Sequence, residues 1–138
     1  MITWAINHAV LAGFNLINSR IDAYRILKHK NIAHCINLSA YALVVAFLIW
    51  RQHPTGLSEI LDSINFGLAA FFNRQLSFDI PLNLRRGLPW DYQSTAPKPK
   101  AVMDRIERAI FGNLPGKWIA AIYAGSFIIC TLIKLFFL

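Results

Sequence analysis

The chain has 138 residues, 56% of them apolar and 15% charged, and a net charge of +7. Soluble domains usually carry about a quarter charged residues, so this composition argues against an ordinary soluble domain and favours helices of about 20 residues that cross a bilayer. The basic residues lie between apolar runs and match no nucleic-acid motif. We therefore expect membrane lipids, including anionic headgroups, as partners and expect no nucleic acid.

The apolar runs predict an all-α membrane bundle of four transmembrane helices, at about 2–19, 32–50, 57–78 and 117–138. The first run is short, but its helix can continue past the membrane edge through Arg20 and Asp22. The second and fourth runs are the most apolar. The third has only 13 strongly apolar residues, from Ile60 to Phe72, so it either spans the membrane or re-enters it.

A polar connection follows the third run and contains one amphipathic stretch. Its apolar residues recur at helical spacing, with charged residues between them; they are Val102, Met103, Ile106, Ala109 and Ile110. We interpret this stretch as a short interfacial helix in the headgroup plane, the alternative being an ordinary soluble helix packed on the bundle.

The positive charges lie mainly on one side of the predicted bundle. Twelve of the 14 Lys and Arg residues lie in or beside the segments 20–31 and 79–116, and only Arg51 and Lys134 lie on the other side. The positive-inside rule then predicts that both segments are cytoplasmic and that both termini are outside.

Polar side chains of the first three runs fall near this cytoplasmic boundary. Four of them have the chemistry to bind a divalent metal or to transfer protons, namely Asp22, His29, His34 and Asp79. Three amides extend this polar cluster, Asn18, Asn37 and Asn73. The alternative is a hydrogen-bonded cluster that only fixes helix packing, as Asn and His often do in membranes.

A second polar group follows the third run. Arg85 and Arg86 precede Trp90 and Tyr92, and such pairs of cationic and aromatic side chains suit the membrane interface. The sequence predicts a lipid or partner contact here, either specific for an anionic headgroup or a general interfacial anchor.

Two stretches carry a family resemblance. The residues from Asp22 to Asn37, and the later residues Phe78-Asp79, Leu82 to Gly87 and Trp90-Asp91-Tyr92, resemble uncharacterised small polytopic membrane proteins of bacteria and their phages. The resemblance implies a bacterial or phage source and a location in the bacterial inner membrane. It implies no activity.

No phosphate-binding Gly-rich loop, GxSxG or HExxH motif occurs, so the sequence identifies no chemistry and favours a non-enzymatic protein. We expect a small inner-membrane protein that acts by assembly with itself or as a subunit of a larger membrane complex. One alternative is a membrane-edge enzyme, or a metal- or proton-handling protein, that uses Asp22, His34 and Asp79. Another is a phage holin-like pore former.

Overall fold

The computed structural model of the protein describes residues 1–28, 34–52, 54–92 and 102–138, with residues 34, 35, 102 and 103 described by their backbone alone. Throughout these ranges the chain forms helices and turns and no strand. The elements in chain order are α1 (Ile2–Leu27), α2 (His34–Trp50), α3 (Leu57–Arg74), a π turn (Gln75–Asp79), α4 (Ile80–Arg85), α5 (Val102–Phe111) and α6 (Gly116–Phe136). The prediction of an all-α protein is confirmed.

The first helix is longer than its apolar run. α1 has 26 residues, or roughly 39 Å at 1.5 Å per residue. It passes through Arg20 and Asp22, as the sequence predicts, and ends where Lys28 donates its backbone N–H to the carbonyl of Tyr24 at 3.1 Å. The helix therefore extends eight residues beyond the end of the predicted span at residue 19.

The third helical segment is also longer than predicted. It begins where Glu59 accepts the backbone N–H of Gly56 at 2.7 Å, a capping contact. From Leu57 to Arg85 the chain is helical without a break through α3, the π turn and α4. This length, roughly 43 Å at 1.5 Å per residue, exceeds the thickness of a bilayer core.

α6 packs antiparallel to α3, and this is the most extensive contact between two helices. Asp62 near the start of α3 pairs with Lys134 near the end of α6 at 2.7 Å. Phe72 near the end of α3 lies against Tyr123 in the first half of α6, with ring centroids 6.1 Å apart.

α1 runs parallel to α3 and antiparallel to α2. Asn73 contacts His8, and Ser77 contacts Asn15 further along both helices. On the other side, Phe14 lies 6.2 Å from the ring of Tyr41. The four long helical segments therefore alternate in direction along the chain.

The helices bury polar side chains and expose apolar ones. On α1, Asn15 and Asp22 are 1% and 0% exposed, whereas Ile2 and Ile17 are 79% and 64% exposed. Soluble proteins show the reverse distribution. On α5 as well, Ile110 is exposed and the Glu107 side chain is buried.

The helices differ in how well they could cross a membrane by composition alone. Among the described residues, only Gly116–Phe136 is both long and apolar enough, and Ile36–Trp50 is apolar but shorter. α1 and α3 are not apolar enough to meet this criterion, because the polar side chains of their buried faces lower their mean hydropathy. By this measure one of the four predicted spans is supported.

Candidate functional site

The π turn places polar groups at the centre of the helix contacts. Pro81 lacks a backbone N–H and its ring presses against the carbonyl four residues earlier, so an ordinary α-helix cannot continue regularly through Ser77. The chain widens into the π turn Gln75–Asp79 just before this proline. Such single π turns within helices are often found at functional sites.

A hydrogen-bonded row joins α1 to the π turn. Asn73 donates its side-chain N–H to the carbonyl of His8 at 3.1 Å. Ser77 donates its hydroxyl to the carbonyl of Asn73 at 2.6 Å and accepts the side-chain N–H of Asn15 at 2.8 Å. We call His8, Asn15, Asn73 and Ser77 the α1 seam, and its bonds fix the register of α1 against α3.

His8 lies at the end of the α1 seam that is farther from α4, and aromatic rings surround its imidazole. The rings of Trp4, Phe66 and Phe127 surround it, with centroids 4.7, 4.8 and 5.2 Å away. Its Nδ1 lies 3.5 Å from the side-chain nitrogen of Asn73, and its Nε2 is buried with no described partner. Three helices thus meet around one imidazole.

α2 joins the site through two hydrogen bonds. Tyr41 donates its hydroxyl to the carbonyl of Ala70 at 2.7 Å. Nearer the predicted cytoplasmic side, Asn37 donates to one carboxylate oxygen of Asp22 at 2.7 Å. The other oxygen of Asp22 is buried and has no partner among the described residues.

Arg74 lies between α2 and the π turn, and only 7% of it is exposed. Its guanidinium carbon is 4.6 Å from the ring centroid of Phe78 and 5.8 Å from that of Tyr41. One guanidinium nitrogen, Nη1, is buried without a described hydrogen-bond partner. A charged group in such surroundings is expensive, so it usually has a function.

α4 bonds to α1 at the end of the bundle that is predicted to be cytoplasmic. Arg85 donates to the carbonyl of Leu16 at 2.9 Å and to the hydroxyl of Ser19. Arg86 instead lies 6.0 Å from the ring of Tyr92. Of the four residues predicted to contact lipid or a partner, Arg85 is thus engaged with α1, while Trp90 and Tyr92 are 45% and 36% exposed.

A glycine ends α4 and lets the chain fold back. Gly87 has φ +73°, a left-handed conformation that favours glycine. Asn83 then donates its side-chain N–H to the carbonyls of Trp90 and Tyr92, at 3.3 and 3.1 Å. These bonds hold both aromatic residues beside α4.

α5 is attached to α6 by a buried carboxyl group. Tyr123 donates its hydroxyl to Glu107 at 2.9 Å, and the ring of Phe111 lies 5.8 Å from that of Tyr123. The carboxyl group of Glu107 therefore connects α5 to the first half of α6.

The structure brings some of the predicted site residues together. Asp22 and Asn37 are bonded, whereas Asn73 pairs with His8 and Asp79 lies at the end of the π turn. Asn18 is half-buried. No group of three His, Cys, Asp or Glu residues within the described ranges could hold a metal ion.

Two of the four predicted metal ligands fall where the structure gives no side chain. His29 lies outside the described residues, and His34 is described by its backbone alone. The metal site therefore stays a prediction. The sequence reasoning missed Ser77 and the burial of Arg74. Pro81, interpreted from the sequence only as part of a polar stretch, was the signal for the π turn.

No protein-family model matches the chain, and neither a curated protein nor a solved structure is detectably similar to it. The resemblance to small membrane proteins of bacteria and phages stays a prediction. The features that indicate a function are therefore the α1 seam, the π turn and the helix surfaces.

Proposed function

We propose that the protein is an integral membrane protein in which α1, α2, the segment Leu57–Arg85 and α6 each cross the bilayer. The inverted distribution of side chains carries this proposal. Large apolar side chains are exposed on every long helix, for example Val10, Leu43, Ile64 and Ile129, all more than half exposed. Contiguous apolar surface of this extent is rare on soluble monomers and is the surface that lipid covers.

The alternating helix directions support a four-span topology. Successive crossing segments of a polytopic protein must run in opposite directions, and the contacts between α1, α2, α3 and α6 have that order. Combined with the charge distribution, this order favours a topology in the bacterial inner membrane with both termini outside and the α4 end of the bundle in the cytoplasm.

The polar residues of α1 and α3 do not argue against this topology. Their side chains point into the bundle, where Asn15 and Asn73 bond to neighbouring helices. Polar groups in membrane proteins take this position because lipid cannot bond to them. The low hydropathy of α1 and α3 thus follows from the polar interior of the bundle.

Within the membrane, the protein acts by assembly with itself or with a larger membrane complex. The buried side chains of Asn15 and Tyr41 bond within the bundle, and the exposed apolar faces are left for partners. One exposed face of α2 has a shallow cleft lined by Ile36, Ser39, Ala40 and Leu43. Small residues on such a face allow a second helix to approach closely, so we assign this face to a second copy of the chain.

Cross-linking in membranes tests the assembly. The wild-type chain should form dimers, and Ser39→Leu with Ala40→Leu should reduce the dimer fraction several-fold. Ala121→Leu, at an exposed alanine of α6, is the matched control and should leave dimers intact. A chain that is always monomeric and always isolated alone would overturn the proposal, and membrane permeabilisation on expression would favour a holin-like pore instead.

A second candidate is proton or metal handling at the cytoplasmic edge. The observation in its favour is the carboxylate of Asp22 near the end of α1, which is fully buried and bonded to Asn37 through one oxygen. Its other oxygen has no partner in the described part of the chain. Purified protein that retains a divalent metal, lost in Asp22→Asn, would support it. Metal-free protein in which Asp22→Asn lowers only stability would decide for a packing role.

A further inference from the structure

The π turn buries more polar atoms than its neighbours satisfy. Arg74 and Gln75 are 7% and 3% exposed. Nη1 of Arg74 and both amide atoms of Gln75 are buried with no hydrogen-bond partner in the described part of the chain. Buried polar groups nearly always have a partner, so unsatisfied atoms of this kind indicate a ligand or ordered water.

The aromatic contacts of Arg74 leave its donors available. Phe78 lies under the guanidinium, whose carbon is 4.6 Å from the ring centroid, and Tyr41 lies 5.8 Å away. Cation–π contacts use the face of the guanidinium, while its N–H groups point outward from the edge. That edge has the planar fork geometry that matches the oxygens of a carboxylate or a phosphate.

The described carboxylates do not neutralise Arg74 directly. Asp79 lies at the other end of the π turn, and no ion pair joins Arg74 to a carboxylate of the described residues. On α5, the buried Glu107 accepts the hydroxyl of Tyr123. Within the described part of the chain, the guanidinium charge is thus buried without a contacting counter-ion.

We propose that Arg74 binds a small oxyanion, of the carboxylate or phosphate class, at the π turn. The anion is either free in solution or the headgroup phosphate of an anionic lipid. The inference rests on the proposed membrane bundle. Its interior excludes water from the guanidinium, so the electrostatic attraction between the guanidinium and an anion is stronger there than in water.

The test titrates inorganic phosphate into the full chain in nanodiscs of neutral lipid, at constant ionic strength set with chloride. Binding should raise the unfolding temperature, and Arg74→Gln should weaken the affinity about 10- to 100-fold, the loss expected for a charge-assisted hydrogen bond. Arg74→Lys, which keeps the charge without the fork, should fall between. Arg20→Gln, on the exposed face of α1, is the matched control and should bind like wild type.

A second arm replaces part of the neutral lipid with phosphatidylglycerol and omits phosphate. Stabilisation that appears here alone and disappears in Arg74→Gln identifies a lipid headgroup as the ligand. Asp79→Asn should strengthen binding, by about threefold or more for the removal of a nearby like charge. Because Asp79→Asn is expected to increase the affinity for phosphate, a folding defect cannot produce the expected result.

No stabilisation in either arm, or equal stabilisation of wild type and Arg74→Gln, would overturn the oxyanion site. The phosphate titration is repeated in detergent micelles. Failure of the chain to enter nanodiscs would therefore contradict the membrane assignment while the phosphate result still decides the site.

Discussion

Removing Lys134 should destabilise the protein more than removing the carboxylate with which it pairs. Nζ of Lys134 donates to one oxygen of Asp62 at 2.7 Å, and the two side chains are 17% and 19% exposed. The second oxygen of Asp62 is buried and has no partner among the described residues. In the proposed membrane bundle, Lys134 lies near the end of α6, so without Asp62 its long side chain can extend to the headgroups, whereas the short side chain of Asp62 cannot.

Breaking a fully buried ion pair from one side costs about 3–5 kcal/mol. The partial exposure of this pair lowers the expected cost of Lys134→Met to about 2 kcal/mol, roughly a 30-fold change in the folding equilibrium. Asp62→Asn should cost less than about 1 kcal/mol because Lys134 can find water. The same pair on a water-exposed surface would be worth about 0–1 kcal/mol from either side.

The assay is unfolding in mixed micelles with increasing dodecyl sulfate, followed by circular dichroism. The double variant Lys134→Met with Asp62→Asn should recover most of the loss of Lys134→Met. Lys117→Met, at an exposed lysine at the other end of α6, serves as the control. Equal losses below about 1 kcal/mol for both single variants would refute the reasoning that this pair lies in an apolar environment.

Two further predictions follow from the site. Tyr41→Phe removes the 2.7 Å hydrogen bond to the carbonyl of Ala70 and should cost about 0.6–1.7 kcal/mol in the same micelle assay. Tyr123→Phe loses the bond to Glu107, so the amides of α5 should exchange hydrogen faster, with exchange in α3 unchanged; equal exchange in α5 would show that α5 is held by other contacts.

The helices could be predicted from the sequence because their apolar residues are long runs or recur at helical spacing. The full length of the third segment could not, because the polar residues after Phe78 resembled a connection. In the structure the helix continues through Pro81 to Arg85, which bonds to α1. From one sequence, a polar residue that bonds to a neighbouring helix cannot be distinguished from a polar residue in a loop.

The candidate site was partly predictable for the same reason. Asp22 and Asn37 were expected at the same depth, and they are bonded. Asn73 was expected beside them, but the parallel register of α1 and α3 pairs it with His8 instead. Depth along each helix follows from the sequence, whereas register between helices depends on side-chain packing that one sequence does not reveal.

The account depends most on all four helical segments lying in lipid. Spin labels at exposed positions of the four segments, at Val10, Leu43, Ile64 and Ile129, test this in proteoliposomes of the full chain. Relaxation by oxygen, which concentrates in the bilayer, should exceed relaxation by a water-soluble nickel complex at all four positions. Labels at Val10 and Ile64 that are relaxed mainly by nickel, with only Ile129 in lipid, would contradict the four-span bundle and leave α6 as the one membrane helix.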